Sequence, residues 1–288
     1  MVKNSSDSHM KLRKIFYGLL TVFSIRKLGY FIPYRYAGQV RVKNTTNLWL
    51  LEWFSELSNN VFIETLKSVQ PYIGDLKKIT FKNVNFEDPR WGQDWFPGLD
   101  AVIAYGLVRK VKPATIIEIG SGHSTRFLIR AINDEKISSN VVCIDPQPRA
   151  ALCGLDINFM RLPLQKADLK CLLALQKGDI LFIDSSHICV PGSDVDLIVS
   201  RILPALPAGI FIHFHDIFLP DPYPKNWEWR GYNEQIIISA LLAGKKFNPI
   251  FSSYFIRNYA PERIRELGFD WIQMPLGAIE SSLWLETL

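Results

Sequence analysis

The pattern of apolar and polar positions changes character near Ala114. Beyond it, short β-rich runs recur at Thr115–Ile119, Val141–Ile144, Ile157–Leu162, Asp179–Ile183, Ile210–Phe214, Ile250–Ile256 and Leu283–Leu285, with helical stretches between them. Alternation of this kind predicts an α/β domain over 113–288: a doubly wound, mostly parallel seven-stranded sheet, covered by helices on both faces. Upstream, 47–112 shows helical spacing, with Leu48, Leu51, Trp53, Phe54 and Leu57 followed by Phe62, Ile63 and Leu66. It ends in a helix running through Leu107, and the whole stretch reads as a helical N-terminal cap or lid. Residues 11–46 form a basic, aromatic arm, and 1–10, ending Ser8-His9-Met10, have the look of a tag remnant.

Charge sharpens this division. The chain of 288 residues has 33 Lys and Arg against 28 Asp and Glu. Eight of the basic residues fall between Lys11 and Lys43, where there is no acid, and the body after them is slightly acidic. The body therefore gives no general argument for nucleic-acid binding. The arm suggests peripheral contact with anionic lipid, or with a partner, since Lys and Arg clustered beside apolar residues behave so. Its apolar run Ile15–Phe23 is far short of the roughly 20 residues that cross a bilayer. Cys143, Cys153, Cys171 and Cys189 are singly spaced, which excludes a paired zinc pattern or a Cys-x-x-Cys redox motif and suits the cytoplasm.

A doubly wound sheet takes ligands beyond the carboxyl ends of its strands, so the residues after each run carry the candidate chemistry. The first run leads into Glu118-Ile-Gly120-Ser121-Gly122-His-Ser124-Thr125, where glycines let the backbone bend and approach a ligand. A dinucleotide fingerprint would place Gly or Ala where Thr125 stands. Asp145 closes the second strand at the interval of a βαβ unit, placed to accept both hydroxyls of a ribose. The fourth strand ends Asp184-Ser-Ser-His187 and the fifth ends His213-Phe-His215-Asp216. Two carboxylate–imidazole pairs on one edge suit a general base or a metal site. The loop 219–230, rich in aromatics and proline, is placed to wall an acceptor pocket, with Arg230 as an anion clamp.

With those residues in view, the segment from about Trp95 onward resembles the class I S-adenosylmethionine (SAM)-dependent methyltransferases, in particular a bacterial subgroup with Glu-x-Gly-x-Gly-x-Ser-Thr, Asp-x-x-His and His-Asp motifs. Asn233-Glu234-Gln235 and the closing Ser282–Leu285 look like that subgroup too. The resemblance implies SAM as cofactor. Gly120 and Gly122 would lie against its methionine moiety, Glu118 would orient the amino end, and Gln165 would approach the adenine. Ser121, Ser124, Thr125 and Asp184 would complete the cofactor site. Related O-methyltransferases hold a divalent cation where Asp184 and Asp216 stand, which implies a metal site here.

On this reading the enzyme methylates a hydroxyl of a small-molecule or glycan acceptor, with His215 as base and His187 and Asp216 assisting. Two alternatives remain open at this point: a metal-dependent oxygenase using Asp184, His187 and His215, and a non-catalytic binding module on the same fold.

Overall fold

The computed structural model describes residues 4–39, 45–82 and 85–288. The chain forms two compact units: residues 1–46 with 221–232, and residues 47–220 with 233–288.

The smaller unit contains helix α1 (Asn4–Val22) and a 3₁₀ turn, Lys225–Arg230. Among the described residues, no helix is long and apolar enough to cross a membrane. Here the loop after the fifth strand packs on itself. The Arg230 guanidinium lies 3.9 Å from the Trp227 ring centroid and 5.4 Å from that of Tyr232, and Tyr223 meets Tyr232 edge-on at 5.8 Å. Arg230 is thus stacked among its own loop's rings.

In the larger unit, α2 (Leu48–Ser58), α3 (Val61–Val69) and α4 (Gly98–Val111) precede β1 (Thr115–Ile119), α5 (His123–Glu135), β2 (Asn140–Ile144), β3 (Asn158–Met160), β4 (Ile180–Ile183) and β5 (Phe211–Phe214). Then come α6 (Glu234–Ala243), β6 (Phe247–Ser252), α7 (Ser253–Tyr259) and β7 (Leu283–Thr287). The sheet order is β3-β2-β1-β4-β5-β7-β6, with β1 to β5 parallel and β7 antiparallel to both its neighbours. The expected doubly wound, seven-stranded sheet is borne out. The third strand is shorter than expected, Asn158–Met160, and the sixth begins earlier and ends earlier than expected. The sixth stops at Ser252, whose hydroxyl accepts from Phe255 N at 3.2 Å and opens α7, so Ser253–Ile256 are helical rather than extended.

The helical stretch 47–112 shares a compact unit with the sheet. Leu50, Phe54, Phe62, Leu66 and Val69 are fully buried, and the Phe54 and Phe62 rings lie 5.7 and 6.3 Å from Phe255. Burying each such side chain is worth about 1.5–3 kcal/mol, and together they fasten α2 and α3 to the sheet's far edge. Helix α4 is apolar nearly all round and buried over most of its length, as an inner layer must be. The expected boundary at 112/113 therefore corresponds to no division in the structure. An amphipathic pattern marks a buried face, and a core helix produces it as readily as a cap does.

The β1–α5 bend is set by Gly120. Its φ is +80°, and an added Cβ would lie 1.8 Å from the carbonyl oxygen of Asp184. Gly120→Ala should therefore destabilise the protein by at least about 2 kcal/mol, combining left-handed strain with overpacking against backbone. Urea denaturation checks this, and an unchanged midpoint would contradict the close approach of β1 and β4.

Candidate active site

The Gly-rich segment is held in place by two carboxylates. Glu118 is wholly enclosed and accepts from Ser124 Oγ at 2.5 Å, Thr125 Oγ1 at 2.6 Å and Cys143 Sγ at 3.3 Å. Complete burial pushes its carboxyl up to about 7 against the opposing effect of those hydroxyls. Glu118 thereby braces Ser124 and Thr125 on the first turn of α5. Thr125 Oγ1 also accepts from Gly122 N at 3.0 Å.

Asp145 fixes the bend from the neighbouring strand. It accepts from Ser121 N at 2.7 Å through Oδ2 and from Gln147 N at 2.6 Å through Oδ1. Oδ2 also takes the Ser121 hydroxyl at 3.3 Å, so the free lone pair is on Oδ1. Over Gly122 the nearest atoms to an added Cβ are Ala150 N at 3.9 Å and Arg149 Cβ at 4.0 Å, so this bend adjoins open space. Gln165 sits in a 3₁₀ turn after β3 and donates to the Gly192 carbonyl at 3.2 Å.

One strand further along, the ends of β4 and β5 bring Asp184, His187, His215 and Asp216 together. His187 Nε2 lies 3.2 Å from Asp184 Oδ1 and 3.3 Å from Asp216 Oδ2. His215 Nδ1 lies 3.7 Å from Asp184 Oδ1 and 3.5 Å from Asp216 Oδ1. The outer nitrogens are fixed by buried acids: His187 Nδ1 meets Glu234 Oε2 at 2.9 Å, and His215 Nε2 meets Asp100 Oδ2 at 3.2 Å. Burial alone would make both imidazoles less basic. The surrounding carboxylates outweigh it, Asp184 foremost in each case, and raise both well above the usual histidine range.

An outer N–H donated to a carboxylate leaves each inner nitrogen with a lone pair aimed at carboxylate oxygens. Lone pair against lone pair at 3.2–3.7 Å is repulsive unless a positive charge sits between them, either a proton or a metal ion. Asp184, His187 and Asp216 each offer a ligand atom within 4.8 Å of the others. Nitrogen and carboxylate donors at such separations suit a divalent cation with bonds of about 2.0–2.2 Å.

The backbone also marks this place. His187 and Asp216 hold φ of 59° and 55°, left-handed values that cost a residue with a Cβ about 1–2 kcal/mol. The motif Asn233-Glu234-Gln235 maintains these two turns. Asn233 Oδ1 accepts from Cys189 N at 2.6 Å, Glu234 takes the His187 imidazole, and Gln235 Oε1 accepts from Phe218 N at 3.1 Å.

His213 shares a face with His215 as expected, but it belongs to the core. It stacks on Phe182 at 3.7 Å and bonds to Ser282 Oγ at 2.8 Å.

Sequence reasoning missed Asp100 and singled out Glu234 only as part of a resemblance. Each is an acid in the first turn of a largely apolar helix, a signal that was available. Asp100 is saturated by Ser281 N at 3.1 Å, Ser282 N at 2.9 Å, Ser253 Oγ and His215.

Residues 117–217 match the protein family described as Methyltransferase domain. No curated protein matches the chain. Among solved structures, the chain is similar to an SAH-bound methyltransferase of Podospora anserina, PaMTH1 (TM-score 0.42, 15% identity, covering 91% of this chain and 100% of that one). It is similar also to the plantazolicin methyltransferase BamL in complex with a triazolic substrate analog and SAH (TM-score 0.38, 16% identity, 66% of this chain and 83% of that one). A third likeness is to apo CmcI (TM-score 0.36, 14% identity, 52% of this chain), of whose length the chain spans 62%.

Proposed function

We propose that the protein is a SAM-dependent O-methyltransferase whose acceptor hydroxyl is bound at a divalent-cation site formed by Asp184, His187 and Asp216. The observation that carries this reading is the meeting, on adjacent strand ends within the segment matching a methyltransferase domain, of a Gly-rich bend braced by Asp145 and the carboxylate–imidazole cluster. The open space at Gly122 and the free lone pair of Asp145 Oδ1 fit a nucleoside cofactor, whose second hydroxyl would replace the 3.3 Å bond from Ser121 Oγ. SAM supplies an electrophilic methyl group, and a cation at the cluster would lower the pKa of the acceptor hydroxyl.

The chain's own residues then have separate tasks. Asp145 holds the ribose, and Gly120 and Gly122 keep the bend clear of side chains. Asp184, whose side chain is 31% exposed, is the most open member of the cluster and marks the side from which the acceptor enters. With a cation in place of the bridging proton, His215 would be free to take the hydroxyl proton at Nδ1, while Asp100 holds the tautomer at Nε2 and stabilises the imidazolium. His187 is reserved as a ligand by Glu234. Calorimetric titration with S-adenosylhomocysteine (SAH) is the first test, and absence of binding overturns the reading. The oxygenase alternative draws on the same cluster, and the methyltransferase-domain match favours the reading given.

The smaller unit supports peripheral attachment to an anionic bilayer. Its described part exposes Leu12, Ile15, Phe16, Leu19, Phe23, Ile25, Phe31 and Ile32 together with Arg13, Lys14, Arg26 and Lys27. Arg41 and Lys43, the last basic residues of the arm, lie outside the described residues. Apolar side chains and cations displayed together complement the acyl boundary and headgroups of such a surface. With about 1 kcal/mol for each cation near the surface, binding to phosphatidylserine vesicles should exceed binding to phosphatidylcholine vesicles by well over tenfold and decline with salt. Co-sedimentation checks this. Equal binding after deletion of residues 11–28 excludes the arm as the anchor.

A further inference from the structure

A cavity adjoins the Gly122 turn, sharing Arg149 and Ala150 with the open space there. Its volume is about 440 Å³, and its lining includes Asn85, Phe86, Arg90, His123, Arg126 and Arg149. Three arginines line it, and no acidic residue is among those lining it. Arg126 is only 4% exposed and His123 8%, yet among the described residues Arg126 Nε and His123 Nδ1 have no hydrogen-bond partner. Arg126 does anchor one end of its guanidinium, donating from Nη2 to the Ala151 carbonyl at 3.0 Å. The Arg149 guanidinium is set against the Trp95 ring at 4.3 Å.

Buried donors without acceptors are costly, and mutually repelling cations more so. The nearest acids, Asp88 and Asp94, act on Arg126 and His123 only through space, and Asp88 is engaged by Asn85 Nδ2 at 3.0 Å. Burial, followed by the fields of Arg126 and Arg90, brings the His123 imidazole down to about 4, so it is neutral and able to donate one N–H. His123 and Arg126 stand on the first turn of α5, where backbone N–H dipoles add further positive potential.

We infer that this cavity binds the phosphate group of a phosphate monoester, with Arg90, Arg126 and Arg149 as charge partners and His123 as a neutral donor. A dianion with three acceptor oxygens matches the clustered positive charge and the unpartnered Arg126 Nε and His123 Nδ1. Phosphate needs only part of the cavity, and the remainder, beside Phe86, accommodates the organic portion of the ligand. In an enzyme of the proposed function the ligand would be the acceptor, so that extension rests on the methyltransferase reading, whereas the phosphate site itself does not.

The test is calorimetric titration of the full chain with inorganic phosphate, alone and with saturating SAH. Phosphate should bind with a dissociation constant of about 1 mM or tighter, equally well with SAH present. Arg126→Gln and Arg149→Gln should each weaken it roughly tenfold or more, the loss of one charge-assisted contact. Arg149 is exposed, so its variant folds even if Arg126→Gln does not. Absence of phosphate binding by the unmodified protein overturns the inference. So does competition between phosphate and SAH, which would assign the cations to the cofactor's own carboxylate. Failure of SAH alone to bind counts against the methyltransferase reading and leaves the phosphate result standing.

Discussion

Asp184→Asn should reduce the affinity for Mn²⁺ by at least about a hundredfold and abolish measurable methyl transfer, without unfolding the protein. Altering a partner that merely orients a ligand typically costs 10–100-fold in metal affinity or activity, and Asp184 is itself placed as a ligand, 3.2 Å from His187 Nε2. Its side chain is among the more exposed of the cluster, so the neutral isostere leaves the packing alone. Glu234→Gln provides the graded comparison. It keeps the hydrogen bond to His187 Nδ1 in shape but removes its charge, and it should fall between Asp184→Asn and the unmodified protein. The two variants together separate a metal centre from a proton-bridged cluster. If a proton alone holds Asp184, His187 and Asp216 together, Mn²⁺ titration of the unmodified protein gives no stoichiometric heat, and the metal-assisted mechanism is lost while the fold and the cofactor site are not.

The particular residues show why the sheet was legible before the structure and the site only partly so. The seven strands announce themselves because each is a local run with a fixed period, and because the acids that end them follow immediately in sequence. Asp145, Asp184 and Asp216 could be placed on one edge by counting alone. Glu118 could not be assigned so simply. Its position before Gly120 is the same whether it faces a ligand or braces α5, and only the structure shows its oxygens bonded to Ser124, Thr125 and Cys143. The same holds for 47–112, whose apolar spacing records that one face is covered without recording by what. Asp100 lies 115 residues from His215. No periodic signal spans that distance, and the only hint was chemical: a carboxylate in an apolar helix needs a partner. The arginine cavity was illegible for the same reason, since Arg90, Arg126 and Arg149 belong to separate segments that only the fold assembles.

Asp145→Ala should weaken SAH binding by about a hundredfold or more. Hydrogen bonds from two ribose hydroxyls to an ionised carboxylate are worth about 1.5–3 kcal/mol each, so losing both removes at least two decades of affinity. Part of the loss would come from elsewhere, because Asp145 also accepts from Ser121 N and Gln147 N and so shapes the bend. The analogue of SAH lacking the ribose 2′-hydroxyl separates the two contributions. Against the unmodified protein it should bind about tenfold or more weakly than SAH, whereas against Asp145→Ala the two ligands should bind alike, since the partner of the missing hydroxyl is gone. Asn is no substitute at this position. Its amide N–H₂ would face either Ser121 N or Gln147 N, donor against donor, so Asp145→Asn should lose SAH affinity as Asp145→Ala does. If instead the analogue and SAH bind the unmodified protein equally, the carboxylate does not hold the ribose. Asp145 would then be a brace for the bend, as Glu118 is for the helix, and the nucleoside would have to be placed elsewhere on the edge.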